Sequence, residues 1–403
     1  MALPVGLRDV QAARELLGGV ILDTPLQGSR PLSERVGGPV WLKCENLQRA
    51  GSFKIRGAYT RISRLSADEA SRGVVAASAG NHAQGVALAA RLHGIRSTVF
   101  MPEGAPIPKV EATKAYGAEV RFHGHAVDEA LVAAQEFSDR TGAVFVHPFD
   151  HVDIVAGAGT VGLEIVEQCP DVKTVVVCTG GGGLLAGIAV AVKGLRPDVR
   201  VVGVQAEGAA AYPASLAAGH PVALKTMTTM ADGIAVGCPG PVPFTIIDAL
   251  VDDLLTVSEE SLSRALLLCL ERAKLVVEPA GAAAVAAVLD DPRAFEPPVA
   301  VVLSGGNIDP LLLMRVLRHG LAVAGRFLSF RARISDRPGA LVGLLAEVAA
   351  ADASVLEVEH VRTDPRLRVD EVEVQLQLET RGAEHCEEVQ ERLRKAGYTL
   401  VFG

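Results

Sequence analysis

The lysine in residues 51–57, Gly-Ser-Phe-Lys-Ile-Arg-Gly, lies where a helix is predicted to begin. The partial positive charge at a helix N-terminus opposes protonation of an amine, so Lys54 is expected to have a lowered pKa. A neutral amine condenses with a carbonyl group, and a protonated amine does not. Lys54 is therefore a candidate nucleophile for a Schiff base, although an ordinary surface lysine is the simpler interpretation of this residue taken alone.

A loop of four consecutive glycines, Gly180–Gly183, follows a β-branched run and precedes a helical run. Glycines allow several backbone N–H groups to face one point, and the following helix N-terminus favours an anion, so this loop is predicted to bind a phosphate. Residues 181–186 also satisfy a relaxed dinucleotide fingerprint, with Glu207 after the next strand. A nicotinamide-dependent dehydrogenase that uses the Gly181 loop is therefore the alternative interpretation.

Two further polar loops also follow apolar strands. Residues 78–85, Ser-Ala-Gly-Asn-His-Ala-Gln-Gly, follow the predicted strand Val74–Ala77, and residues 304–307, Ser-Gly-Gly-Asn, follow Val299–Leu303. Hydroxyl, amide and backbone donors at a helix start suit a carboxylate, and Asn81 can also bind a phenolate oxygen. The alternatives are an N-cap for the first loop and a plain turn for the second. In one doubly wound sheet, all these loops would open at the carboxyl edge.

The elements that position these loops follow a βα pattern from about residue 39 to 325. The pattern predicts an α/β protein with a largely parallel sheet covered on both faces. Low aromatic content, 4%, and 49% hydrophobic residues agree with tight packing of strands against helices. The predicted strands are 74–77, 97–101, 175–177, 201–204 and 299–303, and the predicted helices are 83–92, 109–116, 127–139, 184–195, 259–274, 282–289 and 310–321.

The pattern changes after about residue 325, where polar and apolar residues alternate strictly. Strands at 330–334, 354–362, 369–379 and 398–402 and helices at 340–351 and 383–395 are predicted, in the order βαββαβ. This order indicates a separate, antiparallel, ferredoxin-like module.

Charge and cysteine content exclude several classes of protein. A net charge of −8 argues against nucleic acid and anionic membrane as partners. The six cysteines include no C-x-x-C pair, so neither a metal site nor a disulfide framework is expected. The uncharged stretch Thr174–Val192 approaches membrane-spanning length, but its glycines divide it into strand, turn and helix. No secretory signal is visible, and a cytoplasmic protein is expected.

The set of motifs resembles the β-family, or fold type II, of pyridoxal-phosphate enzymes, and within it the threonine dehydratases and serine racemases. The resemblance covers nearly the whole chain and implies two lobes of mostly parallel sheet. It implies that Lys54 anchors pyridoxal 5'-phosphate covalently, with Phe53 beside the ring. The other residues that it implies for the cofactor are Asn81 for the phenolic oxygen, Ser304 for the pyridine nitrogen, and Gly180, Gly181, Gly182, Gly183 and Leu184 for the phosphate. The substrate carboxylate would be received by Ser78, Ala79, Gly80, Asn81 and His82.

The activity implied by the resemblance is β-elimination of L-threonine to 2-oxobutanoate and ammonia, with L-serine as a second substrate, in isoleucine biosynthesis or threonine catabolism. Serine racemase or serine dehydratase is the close alternative. Racemases of this family place acidic metal ligands after the strand that contains Val204, whereas residues 205–212 offer only Glu207. His82 is interpreted as a packing residue of its loop.

The C-terminal module resembles an ACT domain, with Asp336-Arg337-Pro338-Gly339-Ala340-Leu341 at its first turn. The expected division is a catalytic domain over 1–325, with a smaller lobe at roughly 50–150, and a regulatory domain over 326–403. The resemblance implies an isoleucine or valine effector and a homodimer or homotetramer. A purely structural module and a non-catalytic amino-acid sensor are the alternatives.

Overall fold

The computed structural model describes residues 3–362 and 367–402, and the chain divides into two compact units between Asp309 and Pro310. The predicted boundary between residues 325 and 326 lies beyond the first helix of the second unit, Pro310–Val323, and the extent of the functional domains stays a prediction. Residues 1, 2 and 403, at the ends of the predicted domain ranges, lie outside the described residues.

The first unit is an α/β structure. Its strands are β1 (Leu26–Gly28), β2 (Val40–Cys44), β3 (Val74–Ala77), β4 (Ser97–Met101), β5 (Glu119–Phe122), β6 (Val144–Phe145), β7 (Thr174–Cys178), β8 (Arg200–Ala206), β9 (Asp253–Val257) and β10 (Val299–Leu303). Its α-helices are α1 (Leu7–Leu17), α2 (Arg30–Val36), α3 (Lys54–Ser63), α4 (Ala67–Arg72), α5 (Asn81–Leu92), α6 (Ile107–Ala115), α7 (Val127–Thr141), α8 (Val152–Gln168), α9 (Gly183–Leu195), α10 (Ala211–Ala218), α11 (Pro241–Leu250), α12 (Glu259–Leu268) and α13 (Pro279–Asp290).

Two separate sheets form the centre of this unit. The larger sheet has the order β1-β2-β10-β7-β8-β9, and the smaller has the order β5-β4-β3-β6. All neighbouring strands in both sheets are parallel except β1, which is antiparallel to β2. Every residue of β3, β7 and β10 is buried, as expected for parallel strands with helices on both faces. The prediction of an α/β protein with mostly parallel sheets is confirmed.

Helices α8 and α9 cross in close contact because glycines line their interface. A Cβ atom on Gly187 of α9 would overlap the Val155 carbonyl of α8, and a Cβ on Gly159 would overlap the Gly187 carbonyl. Residues 157–162, Gly-Ala-Gly-Thr-Val-Gly, also have the glycine spacing of a dinucleotide fingerprint, but they lie inside α8 and form no loop. Its glycines therefore serve helix packing.

The predicted helix over 259–274 is helical to Ala273, but its last turn is not α-helical. α12 ends at Leu268, and one π-helical turn, Cys269–Ala273, follows it. Lys274 then adopts a left-handed backbone conformation with φ of 62°, which ends the helical segment.

The second unit contains α14 (Pro310–Val323), β11 (Phe327–Ser335), α15 (Ala340–Ala350), β12 (Ser354–Val361), β13 (Glu371–Glu379), α16 (Ala383–Lys395) and β14 (Leu400–Val401). Its antiparallel sheet has the order β12-β13-β11-β14, so the predicted βαββαβ arrangement is observed. Alternate residues of β11 and β13 point into one apolar core, which confirms the period of two in the sequence. Across the described residues, no helix is both long and apolar enough to span a membrane.

Candidate active site

Lys54 is the first residue of α3, as predicted. Its Nζ donates a hydrogen bond to the Pro148 carbonyl at 2.9 Å. Burial lowers the pKa of Lys54 to about 8, and nearby Cys178 and Glu278 oppose this shift. The sequence predicts the lowered pKa from the helix N-terminus, whereas the structure assigns it to loss of hydration. A substantial fraction of the amine is therefore neutral near physiological pH.

The segment that carries Lys54 is attached to the loop after β10. The Phe53 N–H donates to the Ser304 carbonyl at 3.1 Å, and Ser52 forms a β-bridge with Gly305. The Phe53 ring centroid lies 5.1 Å from the Lys54 Nζ. Backbone contacts thus hold Lys54 beside Ser304 although the two residues are far apart in the chain.

The glycine loop connects β7 to α9 as predicted. Gly182 has a φ of 96°, which favours glycine, and a Cβ on Gly181 would overlap the Phe149 ring. The first helical hydrogen bond of α9 runs from the Ala186 N–H to the Gly182 carbonyl at 2.8 Å. The preceding backbone N–H groups have no intrahelical acceptor, and no side chain caps them. This helix start is suited to a phosphate.

The loop after β3 forms a second uncapped helix start. The Gly80 N–H donates to the Ser78 Oγ at 3.0 Å, and no side chain caps α5. Its first-turn N–H groups can therefore receive a carboxylate. His82 packs within the loop, because its Nε2 bonds the Val146 carbonyl at 2.8 Å and burial lowers its pKa to about 3.

Asn81 makes two side-chain contacts that its sequence position did not reveal. Its Nδ2 donates to the Glu278 Oε1 at 2.5 Å, and its Oδ1 accepts from the Asn307 Nδ2 at 2.8 Å. Glu278 is buried, and burial raises the pKa of its carboxyl group. Asn81 therefore joins the loop after β3 to the loop after β10.

Ser304 is buried at the carboxyl end of β10, next to the thiol of Cys178. Burial raises the pKa of Cys178 to about 11, so the thiol stays neutral near physiological pH. A neutral hydroxyl and a neutral thiol therefore face this part of the site, and neither forces a proton onto a ring nitrogen.

The expectation that the three loops open at the edge of one sheet is wrong. The loop with Asn81 follows β3 of the smaller sheet, whereas the other two follow β7 and β10 of the larger sheet. Since β7 and β10 are neighbours, their loops are adjacent, and the third loop reaches them through Asn81.

Buried ion pairs anchor the first turn of α3. Arg56 is fully buried and pairs with Glu45 at 2.7 Å and with Glu164 at 2.5 Å. Glu164 also pairs with the buried Lys43 at 2.5 Å. The arginine two residues after Lys54 therefore has a structural role.

Sequence reasoning missed Glu278, Asn307 and Phe149 as site residues. Asn307 lies in the polar loop 304–307, but no role was predicted for it. Phe149 belongs to no recognisable sequence motif. Glu278 was detectable, since it is the one charged residue in the apolar run 275–289 and precedes Pro279. Its contact with Asn81 spans 197 residues, so only the fold revealed it.

The family model described as pyridoxal-phosphate dependent enzyme matches residues 18–305, more than half of the 403-residue chain. The chain belongs to this family. An L-threonine ammonia-lyase of Thermotoga maritima is 47% identical over 396 residues, which cover 98% of this chain and 99% of that protein. The family assignment favours pyridoxal phosphate over a dinucleotide at the glycine loop.

Solved structures agree with this family assignment. Threonine deaminase isoform 2 from Solanum lycopersicum, in its processed form, has a TM-score of 0.74 at 36% identity, and the match covers 77% of this chain and 91% of that chain. Maize serine racemase has a TM-score of 0.74 at 34% identity, and the match covers 79% of this chain and 98% of that chain.

The residues at this site fit pyridoxal phosphate, the cofactor of the family. The fit rests on three features: an amine with a pKa of about 8, an uncapped glycine-rich helix start for a phosphate, and a neutral hydroxyl at Ser304. Within the described ranges, no group of three or more His, Cys, Asp or Glu residues is placed to hold a metal ion.

Proposed function

We propose that this chain is a pyridoxal-phosphate dependent threonine ammonia-lyase, which converts L-threonine to 2-oxobutanoate and ammonia and L-serine to pyruvate and ammonia. The observation that carries the proposal is the buried Lys54 amine, whose pKa is about 8, which donates to the Pro148 carbonyl while the neighbouring Phe53 is attached to the Ser304 loop. The 47% identity to an L-threonine ammonia-lyase over almost the full chain supports this substrate class.

Each loop has a proposed task. The N–H groups of residues 180–184 hold the cofactor phosphate, and Phe53 lies beside the anchoring Lys54. Asn81 binds the phenolic oxygen and Ser304 binds the pyridine nitrogen. Residues 78–82 bind the substrate carboxylate through the N-terminus of α5, which directs the substrate Cα toward Lys54.

Proton transfer is the proposed chemical role of Lys54. Once the substrate amine has replaced it at the cofactor, the released and neutral Nζ would remove the proton from the substrate Cα; the pKa of about 8, which is that of the free amine, keeps it available as a base near neutral pH. When bound, pyridoxal phosphate supplies a conjugated ring that accepts the electron pair from Cα while the β-hydroxyl leaves. Because Ser304 carries no charge, it does not stabilise a protonated ring nitrogen. This favours loss of the β-hydroxyl over the slower return of a proton to the substrate Cα.

The test compares wild type, Lys54→Ala and the surface variant Lys114→Ala. Wild type and Lys114→Ala are expected to be yellow, to be labelled by borohydride, and to form 2-oxobutanoate from L-threonine. Lys54→Ala is expected to lose the borohydride-stable label and nearly all turnover. Full turnover in Lys54→Ala would refute the proposed base, and a colourless wild type that binds NADH would refute the lyase.

We propose a racemase activity only as a minor side reaction. Residues 205–212 offer Glu207 as their single acidic side chain, and it is exposed. The same assay with L-serine, followed by chiral analysis, measures this activity. D-serine formation faster than pyruvate formation would favour the racemase instead.

For the second unit, we propose an ACT-like regulatory role with isoleucine or valine as effector, in a cytoplasmic homodimer or homotetramer. Its support is the βαββαβ arrangement, with a turn at residues 336–339 immediately before α15. Threonine saturation curves of the full chain are expected to shift when isoleucine or valine is added. Unchanged curves would favour a structural module, and effector binding without any turnover would favour the sensor. Analytical ultracentrifugation measures the oligomeric state.

A further inference from the structure

Glu278 is a buried carboxyl group that has no part in the reaction described so far. It lies immediately before α13, and its side chain is 6% exposed. Its backbone N–H donates to the Gly305 carbonyl at 3.0 Å, so the residue is attached to the loop after β10. A Cβ on Gly305 would overlap the Glu278 Oε1, which shows how closely the carboxyl group packs there.

A chain of directed hydrogen bonds determines how the Asn81 amide is oriented. The Ala50 carbonyl is an acceptor only, so the Asn307 Nδ2 that lies 2.7 Å away donates to it. The second proton of this nitrogen goes to the Asn81 Oδ1 at 2.8 Å. The Asn81 nitrogen therefore faces Glu278, whose Oε1 accepts at 2.5 Å. Asn81 is thus held at both ends of its amide.

This arrangement leaves one N–H for a ligand. The amide nitrogen of Asn81 has two protons, and the structure records one acceptor for it, Glu278. Without the carboxylate, only the Asn307 contact would hold the amide, and rotation about the terminal torsion would be less restricted.

We propose that Glu278 is a positioning residue whose carboxyl group orients the Asn81 amide, so that one N–H remains for the phenolic oxygen of pyridoxal phosphate. This inference rests on the proposed function, because it requires that cofactor in the site. Glu278 acts through Asn81 and has no contact of its own with substrate in this scheme.

The groups around Glu278 determine how readily its buried carboxyl group ionises. Burial raises its pKa, while Lys109, Lys54 and the hydrogen bond from Asn81 oppose the rise, and Asp232 adds to it. Lys109, which lies 4.0 Å from Asp232, opposes the rise most strongly, the Asn81 hydrogen bond comes next, and the effect of Asp232 is the smallest. The Asn81 bond is the direct hydrogen bond that stabilises the charged form of Glu278.

The experiment is a double-mutant cycle on cofactor affinity. Cofactor-free wild type, Glu278→Ala, Asn81→Ala and the double variant are titrated with pyridoxal phosphate, and the visible absorption of the bound cofactor is recorded. Glu278→Ala is expected to bind about tenfold more weakly, equal to about 1.4 kcal/mol, with a displaced absorption maximum. In the Asn81→Ala background, the same change is expected to alter affinity by less than about twofold.

Two further variants separate the positioning role from charge and from general effects. Glu278→Gln retains an oxygen that accepts from Asn81, and its affinity is expected to stay within about twofold of wild type. Glu207→Ala removes an exposed carboxylate and is the matched control, with unchanged affinity and absorption expected. Should Glu278→Ala fail to fold, Glu278→Met, which also removes the acceptor for Asn81 but fills more of the buried volume, takes its place in the cycle with the same expected losses.

The outcomes that overturn the inference are distinct from failure of the proposed function. If Glu278→Ala lowers the affinity for pyridoxal phosphate equally in the wild-type and Asn81→Ala backgrounds, Glu278 acts independently of Asn81. A tenfold loss of affinity in Glu278→Gln would show that the charge of Glu278, and not its hydrogen bond to Asn81, contributes to cofactor binding. If wild type does not bind pyridoxal phosphate, the proposed function itself is wrong. Binding by wild type with no change in Glu278→Ala refutes only the positioning role.

Discussion

Replacing Lys54 by methionine is expected to stabilise the cofactor-free protein at neutral pH. Burial lowers the pKa of Lys54 from 10.5 to about 8, so the folded state holds its proton less tightly than the unfolded state. The penalty for burying the charged amine is fully present below pH 8 and disappears as the pH rises toward 10.5. At 1.36 kcal/mol per pKa unit, this difference corresponds to about 3 kcal/mol at pH 7.

The measurement is urea unfolding of cofactor-free wild type and Lys54→Met at several pH values. Trp41 is the single tryptophan, and it lies in β2, so its fluorescence reports unfolding of the first unit. The advantage of Lys54→Met is expected to be about 3 kcal/mol at pH 7 and to fall below about 1 kcal/mol at pH 10. Titration of groups that do not interact with Lys54 cancels between the two proteins, whereas Cys178, Glu278, His82 and His147 are coupled to its charge. An advantage that stays constant from pH 7 to 10 would refute the lowered pKa.

Two further substitutions test the phosphate loop and the buried ion pairs. Gly181→Ala is expected to reduce affinity for pyridoxal phosphate at least about tenfold, because its Cβ overlaps the Phe149 ring. The control is Gly104→Ala, because a Cβ at this position meets open space. Equal affinity in the two variants would contradict phosphate binding by the Gly180–Gly183 loop. Glu164→Gln is expected to lower the free energy of unfolding by about 3 kcal/mol, since it leaves buried cations underpaired. Glu34→Gln, which breaks an exposed pair, is expected to cost less than about 0.5 kcal/mol in the same denaturation experiment, and similar losses would contradict this account.

The sequence was most informative where local patterns were strong. The run of β-branched residues before Gly180 and the helical run after it specify strand, turn and helix without help from the rest of the chain. The alternation in β11 and β13 likewise predicted one buried face in the C-terminal sheet. Short edge elements such as β1 and β6 were not predicted, because two or three residues carry no usable periodicity.

The sequence by itself determined the family, and it predicted Lys54 as a candidate nucleophile and the glycine-rich loops as candidate anion sites, because each is a local motif whose chemistry depends on neighbouring residues. Tertiary structure decided how these motifs meet. It placed the loops on two sheets, it lowered the pKa of Lys54 through burial, and it brought Glu278 to Asn81 across 197 residues. Strand order and burial depend on contacts between distant segments, and no local pattern encodes those contacts.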